Sequence, residues 1–141
     1  MKKKLTKKKT KPLSYYKKKL DKLFSEYIRR KDADIDGFNH CYTCGARHHW
    51  KKLQNGHYVR RSAGLSVYFL EENCRPQCFA CNIWKQGATD EYALRLQKEC
   101  GEDILQRLNA KKQEIVKYSI GDYERLIEEY IEKIRLLDAQ N

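Results

Sequence analysis

Residues 73–82 read NCRPQCFACN, and this stretch decides the fold of the chain. Cys78 and Cys81 stand three positions apart, and the earlier string CYTCG places Cys41 and Cys44 at the same spacing. Two such C-x-x-C pairs offer four thiolates, which is a common tetrahedral ligand set of a structural Zn²⁺ ion. The sequence therefore predicts a zinc site that joins the two cysteine pairs.

Two alternatives to this ligand set stay open. Either the pairs are redox-active or disulfide-bonded, or His48 or His49 replaces one of the thiolates. We favour zinc because no secretion signal is recognisable, and thiols in a reducing cytoplasm bind metals more often than they pair. The other cysteines, Cys74 and Cys100, are expected to be ordinary small buried side chains.

The 141 residues carry a net charge of +11, and the excess lies near the amino terminus. Residues 1–30 contain 13 Lys/Arg and 2 Asp/Glu, whereas the remaining residues contain 17 of each kind. A basic segment on a neutral body is typical of a protein that binds polyanions. We therefore expect a nucleic acid as the partner, with a solubilising tail as the alternative. No apolar run is long enough to span a membrane, and we expect a cytoplasmic protein without a membrane partner.

The chain divides into three parts by composition. Residues 1–14 are lysine-rich and of low complexity, and we expect a disordered basic arm. Residues 15–88 begin with an amphipathic helix and contain both cysteine pairs, whereas residues 89–141 are helical in their periodicity. The C-terminal helices are predicted at 89–100, 102–113 and 122–138. The last of them either packs on the protein's own core or joins two copies of the chain.

A β-hairpin is expected between the two cysteine pairs. Residues 53–61, LQNGHYVRR, suit its first arm, with Asn55-Gly56 at a turn or bulge. Residues 66–70, SVYFL, suit the second arm. A helix should follow from about Cys81, so that zinc ties the base of the hairpin to the start of this helix.

The order of these motifs resembles the ββα-metal nucleases of the HNH superfamily. More closely, the chain resembles the family of the phage recombination protein NinG, also called Rap, over residues 20–137. The likeness is carried by FSEYIRR at 24–30, CYTCG at 41–45, Gly56-His57, and the N-x-x-x-Q-C-x-x-C-N string that starts at Asn73. The resemblance implies an α+β fold in which an N-terminal helix and a C-terminal helical region flank a zinc-stabilised, HNH-like ββα-metal centre.

The resemblance also implies a metal-dependent DNA endonuclease that acts on branched recombination intermediates, such as Holliday junctions and D-loops. His57 is the expected general base, because a neutral imidazole accepts a proton from water near physiological pH. Asn73 is expected to hold His57 in place through backbone hydrogen bonds. Asn82 is the expected oxygen ligand of a catalytic Mg²⁺ or Mn²⁺, with Asn55 as the nearest second donor. Several relatives carry a metal-binding aspartate at the position of Gly56.

Basic and aromatic side chains complete the expected site. The candidates for phosphate contacts are Arg60, Arg61, Lys85, Lys17, Lys18 and Lys19. Trp50 and Trp84 are expected to pack around the zinc site, with stacking on a base as the alternative. A homodimer is expected, because a junction-resolving enzyme pairs two cuts across a two-fold axis. Two other functions stay open: a zinc-dependent nucleic-acid-binding module without catalysis, and a general HNH nicking endonuclease.

Overall fold

A computed structural model of the chain describes residues 10–140 and has a mixed α+β architecture. The helices are α1 (Leu13–Arg30), α2 (Leu65–Tyr68), α3 (Thr89–Cys100), α4 (Ile104–Lys112) and α5 (Ile120–Ala139). The strands are β1 (Phe38–His40), β2 (Arg47–His49), β3 (Gln54–His57) and β4 (Cys74–Gln77). A π-helical turn at Ala80–Trp84, here called the π-turn, follows β4.

The amino-terminal helix α1 begins at Leu13, directly after Pro12. A proline suits this boundary because its fixed φ fits the start of a helix and it has no N–H to leave unpaired. Residues 13 and 14, which the sequence assigns to the basic arm, are therefore helical. The expected disorder of residues 1–9 lies outside the described residues.

The four strands form two separate antiparallel hairpins. β1 pairs with β2, with Asn39 opposite His48, and the turn between them carries the first cysteine pair. β3 pairs with β4, with His57 opposite Cys74. The second cysteine pair begins directly after β4, so both pairs lie at the ends of hairpin strands.

The second arm of the longer hairpin is not where the sequence predicts it. Residues 66–70 do not form a strand: Leu65–Tyr68 is the helix α2, and the partner of β3 is β4. A short apolar run does not distinguish strand from helix by its period alone, and here it buries Ser66 and Val67 on a single helical turn. Asn55-Gly56 accordingly lies inside β3 and not at a turn, because residues 58–73 form the long connection to β4.

The largest core cluster forms where α1 and α5 pack against each other. Both helices turn an apolar stripe toward this interface, and the Phe24 and Tyr130 rings meet edge to face at 5.2 Å. Cys74 from β4 is buried in the same cluster. The buried residues of the two helices are Leu20, Phe24, Ile28, Tyr123, Ile127 and Tyr130. The apolar stripe of α5 therefore packs on the protein's own core. No helix of residues 10–140 is both long and apolar enough to cross a bilayer.

A second cluster joins α3 and α4 to the β3 hairpin. It is formed by Tyr92, Leu96, Ile104 and Leu108, all almost fully buried. The hydroxyl of Tyr92 donates a hydrogen bond of 2.7 Å to the carbonyl oxygen of Gly56. This bond satisfies the buried hydroxyl and fixes strand β3 against the C-terminal helices.

Glu71, in the connection before β4, ties α5 to the middle of the chain. Its carboxylate accepts hydrogen bonds from the Tyr130 hydroxyl at 2.8 Å and from Lys133 Nζ at 2.9 Å. Burial alone would raise the pKa of Glu71, but the bonds from Lys133 and Tyr130 outweigh it and lower that pKa below its ordinary value of 4.5. The ionised form is therefore stabilised more in the folded protein than in the unfolded chain.

Replacing Glu71 with glutamine should lower the free energy of unfolding at neutral pH by roughly 1 kcal/mol, because the charge-assisted bonds to α5 are lost. Since the folded-state pKa is lowered, this contribution is present above pH 4.5 and disappears as pH falls below that value. Urea unfolding of Glu71→Gln at neutral pH and below pH 4.5 measures it, with Glu128→Gln, an exposed carboxylate on α5, as the control. An equal deficit at both pH values would contradict this assignment.

Candidate metal centre and nucleic-acid cleft

The four cysteines of the two C-x-x-C pairs meet at one point. Their sulfur atoms all lie within 4.8 Å of one another, and those of Cys44 and Cys78 are 3.8 Å apart. A zinc ion with four bonds of about 2.3 Å places its sulfur ligands about 3.8 Å from one another. The cluster therefore has the size and chemistry to bind zinc, with Cys41 and Cys81 buried on its inner side.

The acid–base balance of these thiols also favours a cation. Burial opposes ionisation of Cys41, yet hydrogen bonds from neighbouring backbone amides and from Thr43 lower its pKa to about 6. Burial and the adjacent thiols raise the pKa of Cys81 to about 12, with Thr43 opposing the rise. Closely spaced thiolates repel one another, so the full set ionises only when a divalent ion compensates the charge.

Short backbone bonds shape the two halves of the zinc cluster. The amide of Gly45 donates to the carbonyl of Cys41 at 2.9 Å, which closes the turn between β1 and β2. The amide of Cys81 points at the sulfur of Cys78 at 3.5 Å. A bound zinc ion would thus join the β1–β2 hairpin to the junction of β4 and the π-turn. Within residues 10–140, no other group of three or more His, Cys, Asp or Glu side chains is arranged to hold a metal ion, and neither His48 nor His49 belongs to the cluster.

Cys78→Ser should abolish stoichiometric zinc binding and lower the melting temperature, because zinc binding to such a site contributes directly to folding. Cys100→Ser is the matched control, since Cys100 is a free cysteine outside the cluster. Elemental analysis gives the zinc content, and circular dichroism gives the melting temperature. A Cys78→Ser protein that retains one zinc ion per chain would contradict the four-cysteine site.

Gln77 connects the zinc cluster to strand β3 and explains a glycine in it. Its side chain is fully buried, and Nε2 donates to Thr43 Oγ1 at 3.2 Å and to the Gly87 carbonyl at 2.9 Å. A Cβ atom on Gly56 would lie 2.0 Å from Gln77 Oε1, far inside van der Waals contact. The position before His57 is therefore restricted to glycine by close packing, which leaves no room for an aspartate there.

Gly56→Ala should lower the free energy of unfolding by about 1–3 kcal/mol, because its methyl group displaces the Gln77 carboxamide. In the double variant with Gln77→Ala the effect should be less than additive, since the obstruction is gone. Gly121→Ala in α5, with no neighbour nearer than 3.7 Å, is the control and should be neutral or slightly stabilising. Urea unfolding measures all four proteins, and strict additivity would show that the two side chains do not collide.

A cleft of about 300 Å³ opens beside β3 and the π-turn. Five of the predicted site residues line it together with three that the sequence did not indicate. The predicted residues are Asn55, His57, Arg60, Arg61 and Asn82, and the additional ones are Ile83, Gln86 and Gly87. The cleft therefore brings an imidazole, three carboxamides and two guanidinium groups to one opening.

His57 enters this cleft with one ring nitrogen already engaged. Nε2 lies 2.8 Å from the carbonyl oxygen of Tyr68, so it carries the proton and donates, which leaves Nδ1 as the acceptor. Burial lowers the pKa of His57 below its ordinary value of 6.5, and the Tyr68 carbonyl only partly offsets this. The imidazole is therefore neutral at physiological pH and able to accept a proton through Nδ1.

Asn73 is fully buried and bonds only to backbone groups near His57. Its Oδ1 accepts from the Val59 amide at 2.7 Å, and its Nδ2 donates to the carbonyls of Val59 at 2.9 Å and Val67 at 3.1 Å. Val59 follows His57 by two residues, and Val67 precedes Tyr68. Asn73 thereby links the strand that carries the imidazole to the helix that carries its hydrogen-bond acceptor.

Two of the three carboxamides of the cleft, Asn55 and Asn82, have an oxygen without a hydrogen-bond partner among residues 10–140. Asn82 donates from Nδ2 to Gln54 Oε1 at 2.7 Å, which directs the amide and leaves Oδ1 available. Both polar side-chain atoms of Asn55 are buried without a hydrogen-bond partner. Amide oxygens are hard ligands, and Mg²⁺ often uses only one or two protein oxygens together with water and phosphate. This donor set fits an ion that is held weakly until phosphate joins it.

The residues after the π-turn form a strained wall of the cleft. Gln86, Gly87 and Ala88 have φ values of 50°, 89° and 46°, so all three are in the left-handed region. For residues with a Cβ this conformation costs about 1–2 kcal/mol each. It is held by the bond from Gln77 to the Gly87 carbonyl, and it positions Gln86 in the cleft. Only Gly87 hinted at this turn in the sequence.

The other predicted phosphate ligands, which are all lysines, are not among the residues that line the cleft. Lys17 on α1 places Nζ 4.7 Å from the centre of the ring of Tyr68, the residue whose carbonyl oxygen accepts from His57. Lys18 and Lys19 are exposed on α1 and are not among the residues that line the cleft. Lys85 is exposed at the end of the π-turn, also outside the lining.

The tryptophans do not pack around the zinc site as the sequence predicts. Trp84 is 76% exposed, and Trp50 lies half-buried with the Arg29 and Arg30 guanidinium groups 5.1 and 5.2 Å from its ring. Within residues 10–140, the apolar residues buried with the four cysteines are Leu53 and Ala88, and Ala80 packs beside them partly buried. Four cysteines bridged by a metal replace a large apolar core, so this part of the fold does not need an indole.

Fold and cleft together define a mixed α+β protein with a four-cysteine cluster able to bind zinc. The chain belongs to the NinG family: the family model described as Bacteriophage Lambda NinG protein matches residues 1–140. The family is one of phage proteins associated with recombination. No curated protein and no solved structure matches the chain.

Proposed function

We propose that the chain is a metal-dependent DNA endonuclease of the HNH type that cuts branched recombination intermediates, such as Holliday junctions and D-loops. The observation that supports this most is the complementary state of two side chains in one cleft. His57 has its donor nitrogen engaged and its acceptor free, and Asn82 has its donor engaged and its oxygen free. One is ready to take a proton, and the other to bind a cation.

In this proposal Nδ1 of His57 removes the proton from a water molecule that attacks the scissile phosphorus. The Tyr68 carbonyl holds the ring and stabilises the imidazolium that forms, since its bond to Nε2–H strengthens when the ring is charged. Asn73 keeps His57 and Tyr68 in position relative to each other through its hydrogen bonds to Val59 and Val67. A ring that is neutral before the reaction is the form required of a base.

Asn82 and Asn55 are the residues that would hold Mg²⁺ or Mn²⁺ through their amide oxygens. When bound, the ion neutralises charge on the phosphate and on the leaving oxygen. Arg60 and Arg61 stand exposed at the same cleft and would grip the flanking phosphates, since a guanidinium fork matches phosphate geometry. The two amide oxygens that would bind the metal ion are uncharged. We therefore expect the affinity for the metal ion to rise when DNA supplies phosphate oxygens.

The basic side chains of α1 extend this surface. Lys17 stands beside Tyr68, and Lys18 and Lys19 follow it on the exposed side of the helix. Contacts of this kind are independent of sequence and weaken as salt rises. A homodimer belongs to the proposal, because paired cuts across a junction need two sites. A cytoplasmic setting, where the thiols stay reduced, belongs to it as well.

A zinc-dependent nucleic-acid-binding module without catalysis is the second candidate. One observation favours it: no carboxylate is among the residues that line the cleft. A general nicking endonuclease of the HNH type is the third, and it would cut linear duplex as readily as branched DNA.

Zinc-loaded protein with Mg²⁺ or Mn²⁺ should cleave four-way junctions and flaps in preference to linear duplex, and it should not cleave when these two ions are omitted. His57→Ala should lower the rate by about 100- to 10,000-fold, because the general base is removed, while leaving DNA affinity and zinc content unchanged. Asn82→Ala should also reduce cleavage, with partial recovery at higher metal concentration. Gel-based single-turnover assays measure the rates.

The matched control is His48→Ala, which removes a histidine of β2 that does not line the cleft and should cleave like the wild-type protein. Equal cleavage by the His57→Ala and wild-type proteins would contradict the catalytic assignment. Binding without any cleavage would favour the binding module, and equal cutting of all substrates would favour the general nicking enzyme.

A further inference from the structure

An exposed apolar surface adjoins the cleft and shares Ile83 with it. It consists of Phe79, Ile83 and Trp84, which are 48%, 49% and 76% exposed, and is here called the aromatic patch. A soluble domain usually limits such exposure of large apolar side chains. All three residues belong to the π-turn or to the position before it, the segment that also carries Asn82.

The aromatic patch is built to be rigid. The Phe79 and Trp84 rings meet edge to face with centroids 5.6 Å apart, so Phe79 supports the indole from one side. The backbone beneath is closed by bonds from the Lys85 amide to the Ala80 carbonyl and from the Gly87 amide to the Cys81 carbonyl, both 2.9 Å. Cys81 is a member of the zinc cluster, so the metal site anchors this surface.

The position and charge of the aromatic patch indicate its occupant. Ile83 lines the cleft together with His57 and Asn82, so the patch is continuous with the candidate phosphate site. Residues 79–88, FACNIWKQGA, contain no acidic side chain and one exposed lysine, Lys85. Arg60 and Arg61 complete a positive rim on the cleft side. An apolar ring surface next to basic side chains matches a nucleic-acid strand, whose bases are flat and whose backbone is anionic.

Paired bases inside a duplex offer no free face to an indole, whereas unpaired bases do. We propose that the aromatic patch, with Trp84 at its centre, is a stacking platform for an unpaired base next to the phosphate held in the cleft. This inference rests on the proposed function and specifies its substrate class. Trp84 is then a specificity-determining residue that selects DNA with unpaired bases beside the cut over fully paired duplex.

The test measures binding without cleavage, using full-length, zinc-loaded protein in buffer without Mg²⁺ or Mn²⁺. One DNA carries a single-stranded flap with a fluorescent aminopurine base at the branch, and the other is the fully paired duplex of the same sequence. Trp84→Ala should weaken binding to the flap by roughly 5- to 100-fold and abolish the quenching of aminopurine. Its affinity for paired duplex should change less than about twofold, and Trp84→Phe should restore most of the loss.

Ile115→Ala is the matched control, because Ile115 is an exposed apolar residue, 91% exposed, that does not line the cleft. It should bind both DNAs like the wild-type protein. Equal weakening of flap and duplex by Trp84→Ala, or no weakening, would overturn the stacking platform. Loss of self-association in Trp84→Ala with unchanged flap binding would also overturn it and assign the aromatic patch to a second copy of the chain.

Failure of this inference and failure of the proposed function are separable. If the wild-type protein never cleaves DNA but Trp84→Ala still loses flap affinity selectively, the platform stands and the nuclease assignment falls. If the protein cleaves branched DNA and Trp84→Ala binds and quenches normally, the nuclease stands and the platform falls.

Discussion

Four sulfur atoms, from Cys41, Cys44, Cys78 and Cys81, converge within 4.8 Å and hold the middle of this chain together. Little apolar surface is buried around them, since Leu53 and Ala88 are the main companions. A small body of this kind cannot be stabilised by a hydrophobic core alone, and thiolates this close repel one another without a cation. A zinc ion bound here would therefore couple metal binding to folding in this segment, and it would help to fix the elements that line the cleft.

The polar side chains around β3 fall into two groups according to how many of their polar atoms are hydrogen-bonded. Asn73 and Tyr92 are fully buried, and their polar side-chain atoms bond to backbone groups. His57 and Asn82 each have one atom fixed by a neighbour and the other left free. The first group fixes strand β3 in place, and the second group keeps polar atoms available to a ligand. This pattern distinguishes a candidate functional site from buried polar residues that serve packing only.

Spacing and period made the zinc cysteines and the long helices predictable, because each depends on local sequence. The pairing of β3 did not follow, since an apolar run of four residues around Val67 suits a helical turn as well as a strand. Nothing in the sequence indicated that the Gln77 side chain contacts Gly56, because such contacts depend on how two strands pair. The Tyr68 carbonyl that holds His57 is a backbone atom, and its role follows only from the fold. The left-handed backbone at Gln86 and Ala88 was equally hidden, as neither residue type favours it.

The packing of α1 on α5 joins helices from opposite ends of the chain. Because a ribosome releases the chain from its amino terminus, Leu20, Phe24 and Ile28 have no α5 partner until residues 120–139 have emerged. Contacts so distant in sequence close late and slow the search for the native state. Until α5 docks, the apolar side chains of the lysine-rich α1 segment therefore lack these partners, and an uncovered apolar segment of this kind is one that chaperones bind.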